Sequence, residues 1–197
     1  MPIRMTRQKT LKGDWMKHFV GLIVGVALLS GCATTQMLQP EQQPELVAKT
    51  DKALLVILRD TYFGGGIVFW NYLDDRFIGE TMGNTYFVTD VAPGQHYVVV
   101  ETENTCVADL TFEAGKRYFL RQGIAMGVWR ARTSGYSPVS ADEAMKSVKG
   151  LKYLQIDPSR ALKKIDPAVF KKAIEEYKAD VKANPEAYKE MLDYNGE

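Results

Sequence analysis

Hydrophobic and polar positions fall into four textures along this chain. The run Phe19–Leu29, FVGLIVGVALL, is apolar at every position, shows no polar face, and follows Lys17 and His18. Residues 33–52, ATTQMLQPEQQPELVAKTDK, hold few apolar side chains and no period, so they read as a flexible tether. From Ala53 to about Ser140, β-branched and aromatic residues come in short runs interrupted by turn residues about every ten positions. From Ala141 the spacing of apolar residues becomes helical.

The turn signals are Gly64-Gly65-Gly66, Asp74-Asp75, Gly83-Asn84, Pro93-Gly94, Asn104-Thr105 and Ala114-Gly115. Between them the pattern predicts strands over 53–60, 67–73, 76–80, 85–91, 95–103, 106–113 and 116–124, with a last one over 136–140. Alternation is cleanest in Cys106–Glu113: Cys106, Ala108, Leu110 and Phe112 share the buried face, and Val107, Asp109, Thr111 and Glu113 the other. Ala53–Leu58 is apolar on both faces and reads as a central strand. The expected fold is mostly β: a small antiparallel β-sandwich of about seven to eight strands over 53–140. A helical C-terminal extension, 141–197, follows it. Ser140-Ala141-Asp142-Glu143 fits a capping box. Asp157-Pro158, Asp166-Pro167 and Asn184-Pro185 each offer an N-cap with proline at the first helical position. Val169, Phe170, Ala173, Ile174, Tyr177 and Val181 line one helical face that needs a partner surface: the sandwich, a second copy or another protein.

The apolar run of 11 residues is shorter than a membrane-spanning helix requires. Its length suits the central region of a signal peptide. Leu29-Ser30-Gly31-Cys32 directly after it resembles a bacterial lipobox. That resemblance implies cleavage before Cys32, a diacylglyceryl group on its sulfur and a fatty acyl chain such as palmitate on its new amine. Residues 1–31 then form the signal peptide, with Met16 the more typical start, and 32–52 the lipidated cysteine and tether. Ala33 stands where an aspartate would resemble an inner-membrane retention signal, which implies the outer membrane, facing the periplasm.

Composition is that of a globular chain: 197 residues, 46% hydrophobic and 25% charged. Loss of residues 1–31 removes five basic residues and one acidic residue, leaving 20 basic and 23 acidic, a net charge of −3. A mildly acidic exported chain is a poor nucleic-acid partner. With Cys32 acylated, Cys106 is the remaining thiol, so no intramolecular disulfide forms.

Several stretches carry a family resemblance: Ala53-Leu54-Leu55-Val56-Ile57-Leu58-Arg59, Asp74-Asp75, Phe77-Ile78-Gly79 and Asn84-Thr85-Tyr86-Phe87-Val88. Val91-Ala92-Pro93-Gly94-Gln95-His96, Glu113-Ala114-Gly115-Lys116 and Met126-Gly127 complete the set. This region resembles a family of uncharacterised bacterial lipoproteins whose domain looks like the small transthyretin-like or PEGA-like β-sandwiches. The resemblance implies fold and location; it carries no chemistry.

Candidate chemistry is sparse. His96 and Cys106 are the residues available for a nucleophile and base, but the alternation buries Cys106, whereas a reactive thiolate needs exposure and a lowered pKa. One histidine and one thiol fall short of a zinc site, so neither metal nor cofactor is expected. Asp74-Asp75 reads as a hairpin turn. Gly64-Gly65-Gly66 has no Lys-Ser/Thr after it and reads as a flexible loop or bulge rather than a phosphate loop. Two surface features remain. Lys116, Arg117, Arg121, Arg130 and Arg132, in a stretch without acidic residues, form a candidate basic patch for anionic headgroups or an acidic partner, with Trp129 among them. Trp70, Tyr72 and Phe87 form a candidate aromatic platform for glycan or protein. The expectation is a non-enzymatic, membrane-anchored envelope lipoprotein with a protein partner. A glycan- or peptidoglycan-binding module is the alternative, and an envelope hydrolase the least supported reading.

Overall fold

The computed structural model describes residues 35–127 and 131–197. The signal run, Cys32, Trp129 and Arg130 lie outside the described residues.

Among the described residues, ten strands build two sheets. They are β1 (Met37–Leu38), β2 (Ala53–Arg59), β3 (Phe69–Leu73), β4 (Arg76–Thr81), β5 (Thr85–Val91), β6 (Gly94–Glu101), β7 (Thr105–Phe112), β8 (Arg117–Met126), β9 (Ala131–Pro138) and β10 (Lys152–Ile156). Helices α1 (Ala141–Val148), α2 (Pro167–Ala183) and α3 (Pro185–Leu192) follow the main run of strands. The first sheet has the order β1-β10-β5-β2-β8-β9 and the second β4-β3-β6-β7. Most pairings are antiparallel, but β2 with β8 and β10 with β5 are parallel, which corrects the expectation of a wholly antiparallel sandwich. The reason lies in β2: β5 reaches it antiparallel after β3 and β4, whereas β8 arrives after β6 and β7 of the second sheet and runs the same way as β2.

Every residue of β2 is buried, as a strand apolar on both faces requires. Its inward side chains Leu55 and Ile57 join Phe87, Leu120, Val98, Ala108, Leu110 and Phe112 in the core between the sheets. Its outward side chains Leu54, Val56 and Leu58 pack with Tyr86 and Phe119 beneath Ala144 and Val148 of α1 and Leu46 of the N-terminal arm. The outer face of the second sheet is covered too: Tyr72 and Val99 share a core with Ile165 and with Ile174 of α2. Covering layers therefore lie on both sides of the paired sheets.

Two expected boundaries dissolve in this arrangement. The stretch read as a tether is instead an arm from residue 35 onward: Met37 and Leu46 are buried, and β1 pairs with Gln155 and Ile156 of β10. Single apolar anchors nine positions apart have no period to detect. The helical extension contains β10, which lies between β1 and β5 in the first sheet. Residues 35–197 thus form one compact unit. Asp157-Pro158 starts no helix: Asp157 Oδ1 accepts from Ser159 N at 2.9 Å, and its carbonyl from Arg160 N at 3.2 Å, making a turn. The other caps form as expected at Ser140, whose Oγ accepts from Glu143 N at 3.4 Å, and at Asp166, whose Oδ1 accepts from Ala168 N at 2.7 Å. Asn184 precedes α3 without a side-chain cap bond. The amphipathic helix α2 places Ala173, Ile174 and Tyr177 in buried positions, so the sandwich is its partner surface. Among the described residues no helix is long and apolar enough to cross a membrane.

Candidate functional site

β2 ends on a charged residue, and its alternation sends Arg59 to the same side as Leu55 and Ile57. The side chain is fully buried, and its guanidinium lies 4.1 Å from the centroid of the Phe69 ring. No carboxylate among the described residues pairs with it. It donates instead to three carbonyls of the following loop: Nη1 to Ile67 O at 2.7 Å, and Nη2 to Gly64 O at 2.7 Å and Phe63 O at 3.1 Å. Nε has no partner. Burial pulls the guanidinium pKa down to about 10, which leaves it charged at neutral pH. Burying an ion costs several kcal/mol, and hydrogen bonds to a charged group contribute about 1.5–3 kcal/mol each. The fold spends this near-balance on the shape of one loop.

That loop is held by hydrogen bonds and displays aromatics. Gly64 has φ +60°, and a Cβ on Gly65 would lie 2.9 Å from the Tyr62 carbonyl, so both glycines are required by the turn. Ile67 N donates to Gly64 O at 2.9 Å, Gly83 N to Gly65 O at 3.0 Å and Asn84 N to Thr61 O at 3.3 Å. Tyr62 and Phe63 project from it, 80% and 50% exposed. Gly64-Gly65-Gly66 lies in a loop, as expected, and that loop is tied by hydrogen bonds to Arg59 and to the segment 83–84. The available signal was the arginine ending an otherwise apolar strand five residues before three glycines.

The candidate aromatic platform is largely covered: Tyr72 and Phe87 are buried and Trp70 is half-buried. Alternation does send Trp70 and Tyr72 to the outer face of the second sheet, but the chain roofs that face. Lys163 Nζ sits 3.2 Å from the Trp70 ring centroid, Tyr72 is fully buried and donates to Glu101 Oε2 at 3.0 Å, and Phe87 lies in the core between the sheets. The candidate basic patch is likewise dispersed. Lys116 pairs with Glu113 at 2.9 Å and donates to Asn195 O at 3.2 Å. Arg117 exchanges backbone hydrogen bonds with Glu197 and stacks 5.5 Å from the Phe119 centroid. Arg121 pairs with Asp60 at 3.0 Å and Glu143 at 2.8 Å. Arg132 is paired in register with Ala125, about 26 Å along β8 from Arg117 at the usual rise of a strand.

His96 and Cys106 are not brought together. His96 lies opposite Leu110 in the β6–β7 ladder, four residues or about 13 Å along β7 from Cys106. Its Nδ1 lies 2.8 Å from Asp74 Oδ2 and its Nε2 3.1 Å from Ala92 O. Asp74, at φ +55°, is the turn residue expected, and its Oδ1 also accepts from Tyr97 N at 3.0 Å. Cys106 is half-buried rather than fully buried; burial pushes its thiol pKa up, with the Arg132 charge and the Asn104 amide pulling weakly the other way. It lines a cleft of about 400 Å³ between the sheets and the helices, with Tyr136, Tyr177, Asp180, Tyr188 and Met191. No group of three or more histidine, cysteine or acidic side chains among the described residues is placed to hold a metal.

One polar network bridges the sheets and escaped the sequence reading. Asn71 Oδ1 accepts from Gln122 Nε2 and from Tyr136 OH, both at 2.7 Å, while its Nδ2 donates to Phe69 O at 3.0 Å. Thr81 Oγ1 donates to Gln122 Oε1. The network is closed on itself, which marks it as a device for sheet register and packing rather than for a ligand.

These features define a mostly β protein of two antiparallel-rich sheets with three C-terminal helices. The chain belongs to the family described as a protein of unknown function, DUF2846, whose model matches residues 49–136. It is similar to an uncharacterized protein of Haemophilus influenzae, 32% identical over 135 residues, which are 66% of this chain and 80% of that relative. No solved structure matches.

Proposed function

We propose that this protein is a lipoprotein of the cell envelope, anchored through Cys32 in the outer membrane and facing the periplasm. Its transthyretin- or PEGA-like sandwich acts as a non-enzymatic binding module for an envelope protein. The apolar run and the lipobox-like Leu29–Cys32 support the anchor. The observation that carries the binding role is the loop built by Arg59: a buried, unpaired cation is retained to hold Tyr62 and Phe63 out in solvent. Aromatic side chains fixed in a protruding, preorganised loop are what a protein interface uses as anchors, because little entropy is lost when they dock. Burial of Tyr72 and Phe87, with Trp70 half-buried under Lys163, weighs against the alternative glycan-binding reading.

The test places a photocrosslinking phenylalanine analogue at Tyr62 or, as a control, at Met145 on α1, in cells carrying the full precursor. A reproducible protein adduct at position 62, absent at 145, is the expected result. Equal background at the two positions refutes the binding loop.

A further inference from the structure

The N-terminal arm begins in a latch. Gln36 N donates to Glu80 Oε1 at 2.9 Å, and Thr35 Oγ1 donates to the same oxygen. The Gln36 carbonyl accepts from Asp157 N at 2.9 Å, and its side-chain Oε1 accepts from Lys163 N at 2.6 Å. Met37 is buried directly after. The arm is therefore tied to the segment after β10 at its first described residues, not at residue 53.

We infer that the lipid anchor holds this domain flush on the bilayer, with the segment Pro158–Lys164 facing the headgroups. The inference rests on the acylation of Cys32 proposed above. Three peptide units separate Cys32 from Thr35 and span about 11 Å at full extension. A free tether of about 20 residues reaches on the order of 60 Å, so the latch removes most of that freedom.

The surface beside the latch suits a membrane. Pro158–Lys164 is exposed apart from half-buried Lys163, and it carries Arg160, Lys163 and Lys164 with no acidic residue. Leu162 is 42% exposed and Leu38, two residues past Gln36, is 47% exposed. Arg160 and Lys163 are shared with Asp157 and Glu101, so the electrostatic attraction to anionic lipid is modest. Strong attraction is unnecessary: a short tether keeps this surface at high effective concentration over the bilayer, and weak interfacial contacts then suffice.

The test uses the full acylated protein in vesicles of phosphatidylethanolamine and phosphatidylglycerol. A nitroxide is attached through Leu162→Cys or through Met145→Cys on the opposite outer layer, each with Cys106→Ser, and power saturation compares access to oxygen and to a nickel chelate. The label at 162 is expected to show the oxygen-rich signature of the interface and that at 145 the aqueous one. Inserting about 20 Gly/Ser residues between Ala33 and Thr34 abolishes the difference. Equal aqueous signals in protein whose N-terminal peptide carries acyl chains by mass overturn the flush arrangement alone. An N-terminal peptide without acyl chains overturns the anchor and this inference with it.

Discussion

Arg59→Met isolates the loop from the rest of the fold. Methionine fills a similar unbranched volume and brings no donor. The change removes three charge-assisted hydrogen bonds, to Phe63, Gly64 and Ile67 carbonyls, and a cation–π contact with Phe69. Those bonds contribute about 1.5–3 kcal/mol each and the desolvated cation–π contact about 2 kcal/mol. Against this, the several kcal/mol spent in burying an uncompensated ion are recovered. The two sides are of similar size, so global stability falls by only about 1–3 kcal/mol. The loop gains nothing from the recovered ion burial, loses its three side-chain clamps and keeps only its backbone hydrogen bonds. A local loss of about 3 kcal/mol raises its opening equilibrium about 100-fold. Hydrogen exchange read by mass spectrometry on residues 35–197 checks this. The amides of Ile67, Gly83 and Asn84, whose acceptors lie in the loop, exchange about 100-fold faster, while those of β6 and β7 shift only with global stability. Unchanged loop exchange, or a core that accelerates together with the loop, refutes the assignment of Arg59 as the loop's organiser.

Tyr62→Ser with Phe63→Ser alters exposed side chains only and leaves the unfolding free energy within about 0.5 kcal/mol of the parent, and Phe63→Ser beside the analogue at position 62 weakens the crosslinked adduct; loss of folding instead means the aromatics are structural. Asn71→Ala orphans Gln122 Nε2 and Tyr136 OH inside the core, costs about 3 kcal/mol and lowers Tm by about 6–12 °C; a fall under about 2 °C shows that water or neighbours satisfy those donors. Gly79→Ala puts a Cβ 2.9 Å from the Phe87 ring at φ +152°, costs about 2–4 kcal/mol and lowers the urea midpoint by about 1–2 M; an unchanged midpoint refutes the close approach. Cys106 is expected to react slowly with a disulfide reagent. Its pKa is raised in the fold, so the unfolded chain ionises first as pH rises past the ordinary thiol value of 9.0, and stability declines with pH there; a flat profile through that window contradicts its burial.

The parts of the fold legible in the sequence are those where one segment carries a complete local signal. β2 through β8 follow from alternation and turn chemistry. Asp74 at positive φ and the Asp166 cap follow from what those side chains can bond nearby. The illegible parts depend on one or two residues meeting a distant surface. Met37 and Leu46 anchor the arm singly, and β10 is a strand of 5 residues inside a helical context whose partners are β5 and β1. The loop at Tyr62 and Phe63 is illegible for a different reason. Its organiser, Arg59, carries no signal of its own in the sequence, because a sequence does not show whether a charge near a strand end turns outward to water or inward over an aromatic ring.

The failed aromatic platform and the missed roof are one fact. Trp70 and Tyr72 do point away from the inter-sheet core, as alternation demands, and an outward aromatic face must be either a binding surface or the floor of another layer. Residues 157–183 decide for the floor. Ile165 and Ile174 join Tyr72 in one core, Lys163 stacks on Trp70 and pairs with Glu101 at 3.3 Å, and the same lysine's backbone N–H donates to Gln36 of the arm. The covering segment therefore fastens both the sheet face and the start of the arm. Removing its grip on the sheet, for example by Trp70→Ala, loosens the arm as well. That coupling makes the distance between the domain and its proposed anchor a property of the folded core rather than of linker composition.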